Sequence, residues 1–187
     1  NVFLIKTDIA GNEVWSKSYS GFSCCSGQGS DDKAYAINET FDGGYIVCGV
    51  KDGYNGLIMK LTSTGDVEWN TGITTNSQIY DVKQGADSNY FFTGHIYSSG
   101  DYDVLFGIID TGGTIINVKT LGGSGYDYGR SIIQTQDGGY AIAGYTSSFG
   151  AGYNDIYLIK LDASFSVVLS KSYGSTNNDY GYNITET

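Results

Sequence analysis

A four-residue phrase that returns on a fixed period constrains this chain more than any single residue in it. Asp42-Gly43-Gly44-Tyr45 recurs as Asp87-Ser88-Asn89-Tyr90 and as Asp137-Gly138-Gly139-Tyr140, and a glycine follows four residues after each Tyr, at Gly49, Gly94 and Gly144. The steps are 45 and then 50 residues. Periods of that length belong to solenoids and propellers, in which one repeat cannot cover its own apolar face and must stack on the next.

The other half of the period shows in Ile5-Lys6-Thr7-Asp8, Met59-Lys60-Leu61-Thr62, Gly107-Ile108-Ile109-Asp110 and Ile159-Lys160-Leu161-Asp162. Gly11, Gly65 and Gly113 follow three residues after the first three copies, and Phe165 takes that place in the fourth. Next comes a slot held by Trp15, Trp69, Asn117 or Leu169, a variety that fits packing better than recognition. Each unit reads as four short runs rich in Val, Ile, Tyr and Thr, closed by Gly, Asn, Asp or Ser; such runs form strands and such breaks form hairpin turns. No stretch carries sustained helical spacing. The third runs, such as Val104-Leu105-Phe106 and Ile156-Tyr157-Leu158-Ile159, are apolar at successive positions, so both faces need cover. Sheets sandwiched between two neighbours supply that cover, whereas one wet face per sheet would give stricter alternation.

The expected architecture is therefore all-β: a β-propeller segment of four-stranded antiparallel blades, about three and a half to four blades of a larger propeller. The boundaries are a partial blade at 1–20, blades at about 33–73, 78–121 and 128–173, and the first strand of a next blade at 180–187, fifteen strands in all. The segment Gly21 to Gly29 lengthens one loop between units. A longer parent chain or pairing with another subunit is expected to complete the set.

Gly144-Tyr145-Thr146-Ser147-Ser148-Phe149-Gly150, followed by Asp155-Ile156-Tyr157-Leu158-Ile159-Lys160-Leu161-Asp162 and Ser170-Lys171-Ser172-Tyr173-Gly174, resembles tandem β-propeller repeats with a kelch-like strand layout. Those repeats occur in large secreted or surface proteins of bacteria, archaea and some ciliates. The resemblance implies the fold and says little of activity, because such repeats accompany many different domains.

Charge narrows the partners. With 20 acidic against 10 basic residues the net charge is −10, and the basic residues are scattered, which argues against a nucleic-acid surface. No apolar run approaches the roughly 20 residues that span a bilayer. Abundant Gly, Tyr, Asn, Ser and Thr with no proline suit an extracellular or surface-displayed β-repeat whose tyrosines contact protein or glycan.

The first functional expectation is thus a non-enzymatic structural or adhesive module, with self-assembly into a filament or coat as a variant. Tyr126, Tyr128, Tyr153 and Tyr180 fall in or beside inter-strand loops and are the candidate contact residues. The alternative is a carbohydrate-active enzyme using carboxylates such as Asp101 and Asp103, since glycoside hydrolysis needs two of them at a defined separation. His95 occupies the slot of Val50 and Tyr145, which favours a packed imidazole over a catalytic one. Asp32, Asp127 and Asp179, like Asp103 and Asp155, recur unit by unit and read as loop-fixing acceptors. No cofactor is expected; calcium is the alternative use for such loops, and it requires six to eight converging oxygens.

Lys6, Lys60 and Lys160 share a position with Ile108, so their stems are expected to pack while the ammonium groups snorkel out. Cys48 aligns with Thr93 and Ala143, which suits a small buried filler, with a disulfide to Cys24 or Cys25 as the competitor. Asn38 and Asn183 head the two glycosylation sequons, and both fall in first strands.

Overall fold

Fourteen strands and no helix make up the described part of the chain, residues 1–19 and 32–187 of a computed structural model. They are β1 (Val2–Thr7), β2 (Glu13–Tyr19), β3 (Lys33–Glu39), β4 (Tyr45–Lys51), β5 (Asn55–Leu61), β6 (Val67–Thr75) and β7 (Ser77–Gln84). The second half continues with β8 (Tyr90–Ser98), β9 (Asp101–Ile109), β10 (Ile115–Leu121), β11 (Asp127–Gln134), β12 (Tyr140–Thr146), β13 (Asp155–Leu161) and β14 (Val167–Tyr173). They form a β1–β2 pair and three four-stranded sheets, β3–β6, β7–β10 and β11–β14, each a simple antiparallel meander.

Sequence reading expected a fifteenth strand over 180–187, and this segment is not a strand. It has no second strand to ladder with. It still runs beside β11: Ser131 Oγ donates to Asn183 Oδ1 at 3.0 Å and the Gln136 amide donates to Glu186 Oε2 at 2.9 Å.

Apolar faces pack sheet on sheet in chain order. One cluster joins Ile46, Ile58 and Cys48 to Ile79, Phe92 and Leu105; a second joins Phe91, Phe106 and Ile108 to Ile132, Ile142 and Ile159. A third sets Val2 and Tyr19 against Val47, Met59 and Leu61. The central strand β5 is buried along nearly its whole length, as its unbroken apolar run requires, while the fourth strands β6, β10 and β14 are largely exposed.

The repeated glycine after each Tyr has a geometric cause. The first strand of each four-stranded sheet carries a β-bulge, between Ala34 and Ala36, between Ile79 and Asp81, and between Gly129 and Ser131. Gly49, Gly94 and Gly144 stand opposite. A methyl on any of them would overlap the carbonyl oxygen that the bulge pushes across, that of Lys33, Gln78 or Tyr128 respectively. A bulge leaves one residue out of the ladder and re-aims its side chain. The residues so displaced are Tyr35, Tyr80 and Arg130.

Side-chain bonds at the repeat spacing stitch neighbouring sheets together. On the first strands, Asn38 Nδ2 donates to the Val82 carbonyl at 2.9 Å and Lys83 Nζ to the Ile132 carbonyl at 2.7 Å. The Phe41 and Ala86 amides donate to the Oε1 of Gln84 and Gln134, at 2.7 and 2.9 Å, the same seam that Glu186 continues. On the fourth strands, Trp15 Nε1 donates to the Ser63 carbonyl and Trp69 Nε1 to the Thr111 carbonyl, and the two indoles cover Gly65 and Gly113. The tryptophan slot is packing, in line with its variable occupancy.

Within each sheet the Asp-Gly-Gly-Tyr turn is an acceptor nest. Asp42 Oδ1 accepts from the Thr40 hydroxyl at 2.5 Å and from the Gly44 amide at 2.9 Å, and Asp137 repeats this with Thr135 and Gly139. Gly43 and Gly138 sit at φ 76° and 81°; Ser88 adopts the same left-handed backbone at 70°, and Phe165 does so at 64° in place of the later glycine. The turns therefore dictate the backbone and the side chains comply.

The lysine expectation is corrected here. Lys60 does not snorkel: its side chain is 2% exposed, and Nζ lies 2.8 Å from Asp42 Oδ2 and 3.0 Å from Glu68 Oε2. Burial works against the ammonium, but the hydrogen bonds to Asp42 and Glu68 prevail and raise its pKa. Lys160, more exposed, pairs with Asp137 at 2.6 Å. A carboxylate was already in the turn at each place, so the buried charge has a partner.

Two tests follow from this geometry. Gly94→Ala should destabilise the protein by about 1–3 kcal/mol through overpacking. Gly72→Ala in β6, where an added methyl meets nothing within 4 Å, should be neutral or stabilising by up to about 1 kcal/mol. Urea midpoints at matched slopes check the pair, and equal effects would contradict the bulge–glycine account. Hydrogen bonds from Lys60 and Lys160, then from Thr40 and Thr135, hold the Asp42 and Asp137 carboxyls well below the usual carboxylate range. Because the folded pKa is depressed, this contribution is complete above about pH 4 and is lost as pH falls through the folded value. The double variant Asp42→Asn/Asp137→Asn should flatten the acid limb of a Tm-against-pH curve, and an unchanged limb would contradict the assignment.

Candidate functional site

The three bulged residues meet side by side across the sheets. The Tyr35 and Tyr80 rings lie 5.1 Å apart, and the Arg130 guanidinium sits 3.9 Å over the Tyr80 ring. Arg130 also faces Tyr128 at 5.6 Å and Tyr145 at 5.2 Å, and its Nη2 donates to the Tyr145 hydroxyl at 2.7 Å. It is the only arginine in the chain, and among the described residues no carboxylate lies within ion-pair reach of it. Tyrosine rings and one phenol oxygen stand where a carboxylate would. Tyr35 and Tyr80 each donate their hydroxyl to Gln78 Oε1, at 2.9 and 3.2 Å.

From this row an aromatic band continues along one edge of the sheets. His95 contacts Tyr80, Tyr102 and Tyr128 at 5.3, 4.9 and 4.9 Å between ring centres. Tyr102 in turn meets Tyr97 and Tyr126, while Tyr128 stacks on Tyr145, which meets Tyr180 edge-on. Burial, more than the neighbouring phenols, pushes the Tyr128 hydroxyl up to about 12. Burial and then the Arg130 charge bring His95 down to about 4, so its imidazole is neutral over the physiological range. Neither His95 nitrogen has a hydrogen-bond partner among the described residues, and Nδ1 is buried.

Beside His95 the band opens into a cleft of about 160 Å³. It is lined by Gly53 and Tyr54 of the β4–β5 turn, by Asn76, Ser77 and Gln78 where β6 passes into β7, and by His95, Tyr97 and Tyr102 of the β8–β9 hairpin.

Of the four tyrosines singled out from sequence, Tyr126, Tyr128 and Tyr180 belong to the band. Tyr153 is 77% exposed and stands apart from it, without a ring contact. Sequence reasoning passed over Tyr35, Tyr80 and Arg130 because a bulge inverts the pleat and the period-2 pattern assigns them to the wrong face. The signal that finds them is the glycine one repeat-strand later, read as the mark of a bulge. His95 is packed, as its slot suggested, although its partners are aromatic and its nitrogens unengaged.

The recurring carboxylates do fix loops. Asp127 Oδ2 accepts from the Gly123 amide at 2.8 Å and the Ser148 hydroxyl at 2.6 Å; Asp179 accepts from the Ser175 amide, and Asp155 from the amides of Ala151 and Gly152. Asp103 lies against Asp127 at Gly122, where an added methyl would strike both carboxylates. Burial, then Asp101 and Asp127, raises the Asp103 pKa. Neither Asp101 nor Asp103 lines the cleft. Among the described residues no three His, Cys, Asp or Glu side chains converge as metal ligands.

Cys48 is fully buried with no disulfide partner among the described residues, and burial, then Asp81, pushes its thiol up. Cys24 and Cys25, the proposed disulfide partners, lie outside the described residues. The Asn38 amide nitrogen is engaged with Val82, whereas Asn183 is exposed and uses only its Oδ1. Among the described residues no helix is long and apolar enough to cross a membrane.

No family model and no curated protein matches the chain. Among solved structures it is similar to a protein of unknown function from Bacteroides caccae, with a TM-score of 0.54 and 15% identity over 88% of this chain and 52% of that one. The chain thus spans about half the length of that protein, and the likeness carries the fold alone.

The protonation of His95 is directly testable, because it is the only histidine. Its folded pKa is lowered, so the unfolded chain binds the proton first and stability falls as pH drops from about 6.5 towards 4. The imidazole proton resonances should titrate with a midpoint near 4. A midpoint at the ordinary value of 6.5 would contradict the packing described.

Proposed function

We propose that the sheets are consecutive blades of a β-propeller and that the protein is a non-enzymatic extracellular module of structural or adhesive type. The blade reading is supported by the seams. First strands bond to the next first strand and fourth-strand tryptophans to the next outer turn, each at the repeat spacing, as vanes about a common axis require. The exposed Phe3 and Ile5 of β1 correspond to Leu57 and Met59, which a neighbouring sheet buries. That face suits another blade or a second copy.

The contact reading rests on one observation, the tyrosine band running from Tyr35 to Tyr180 with rings and hydroxyls on an exposed edge. Rings of this kind stack on the C–H face of sugars while their hydroxyls bond the rim. A glycan is favoured over a protein surface because the rings of the edge carry hydroxyls and stand beside the Asn76 and Gln78 amides. The raised pKa of Asp103 beside Asp127 favours a second reading, a carbohydrate-active enzyme, whose test is hydrolysis of glycosides by the native protein and its loss in Asp103→Asn.

A glycan array probes the first reading. The native protein should bind a defined set of glycans, Tyr126→Ala and Tyr180→Ala should each weaken binding by about tenfold, and Tyr153→Ala should not. An array without any bound glycan would overturn the glycan reading.

A further inference from the structure

The cleft beside His95 departs from the repeat in a way the rest of the band does not. His95 takes the place of Val50 and Tyr145, and Tyr97 that of Asp52 and Ser147, so this pair occurs in one unit alone. Of the five non-glycine residues with left-handed backbone among the described residues, Asn76 at φ 57° lines it, and Asp52 at 53° and Ser99 at 56° belong to the turns that carry Gly53–Tyr54 and Tyr97. Such backbone is held in place by its surroundings and concentrates where a loop must present a side chain in one pose.

The chemistry of the walls defines what fits. Tyr54 and Tyr97, 57% and 45% exposed, line the cleft from two different turns, Tyr97 packed on Tyr102. Their hydroxyls, the Asn76 amide and both nitrogens of His95 have no hydrogen-bond partner among the described residues, and Gln78 Nε2 has only a 3.4 Å contact with the Gly53 carbonyl. No ionised side chain lines the cleft, and His95 beside the Arg130 charge stays neutral. Unused donors and acceptors around aromatic faces suit a ligand that is flat and apolar on one side, ringed by hydroxyls, and uncharged.

We propose that this cleft is a sugar subsite for a single neutral hexopyranose ring, stacked on Tyr97 and Tyr54 and hydrogen-bonded to the His95 imidazole and the Asn76 amide. The assignment rests on the glycan-binding reading above and names the place and class of sugar. Its size accords with one ring rather than an extended oligosaccharide, so longer glycans would enter by a terminal residue and run out along Tyr102 and Tyr126.

The test uses the imidazole resonances of His95 as reporter, with the methyl glycosides of glucose, galactose, mannose and N-acetylglucosamine, and methyl glucuronide as the charged control. At least one neutral glycoside should shift the His95 signals saturably, the glucuronide should bind about tenfold more weakly than the glucoside or not at all, and Tyr97→Ala and Asn76→Gly, in which glycine keeps the left-handed backbone, should each weaken the neutral sugar by about tenfold. Tyr97 and Asn76 are exposed, and Tm values equal to the native protein's confirm that the variants are folded. Absence of any saturable shift, or shifts indifferent to Tyr97→Ala, would overturn the subsite. If the array still reports glycans lost in Tyr126→Ala while His95 remains silent, the subsite fails and the glycan-binding edge stands. If the array is blank as well, both fall.

Discussion

The structure depends on one close approach: the backbone of each first strand bulges towards its neighbour, and only a glycine leaves room for the displaced carbonyl. Gly49, Gly94 and Gly144 are where that room is made. Side chains on these positions would force the strands apart or straighten the bulge, and either change would return Tyr35, Tyr80 and Arg130 to the ladder's alternation. The bulge thus couples a local steric requirement to the row of rings along the sheet edge. A repeat that appears in sequence as a turn phrase and a glycine is, physically, a device for turning one side chain per sheet towards its counterparts.

Once the bulges align these residues, the rest of the edge is organised around a cation without a carboxylate. Arg130 is solvated by rings and a phenol, and its field together with burial keeps His95 neutral. Ion pairs are instead placed within the turns, where Asp42 and Asp137 receive Lys60 and Lys160. Most charge is therefore used in holding hairpins, while the aromatic edge surrounds the Arg130 cation with rings. This separation of roles lets a chain of net charge −10 carry a largely aromatic edge.

Much of the fold was legible because its signals are local and repeated. The turn glycines, the apolar third strands and the four-run units all follow from backbone angles and burial that the sequence states directly. The segment 180–187 shows the limit: it carries the first-strand pattern and makes the seam contacts through Asn183 and Glu186, yet a strand exists only if another strand is there to pair with it. Lys60 departs from the sequence pattern for a related reason, since its partner Asp42 is eighteen residues away and only the hairpin brings the two together. The site was less legible. Tyr126, Tyr128 and Tyr180 could be picked out as loop aromatics, but Arg130 and Tyr80 are strand residues whose facing is reversed by the bulge, and the cleft forms from three turns distant in sequence.

The most direct measurement of this account is a set of isotope-edited nuclear Overhauser contacts between first strands. The account predicts cross-peaks from the Tyr35 ring to the Tyr80 ring, from the Tyr80 ring to the Arg130 side chain, and from the Phe41 amide to the Gln84 side chain, all at the repeat spacing. Spectra in which β7 pairs with β8 and β11 with β12 without a bulge, with the Tyr80 and Arg130 side chains remote from one another, would contradict it.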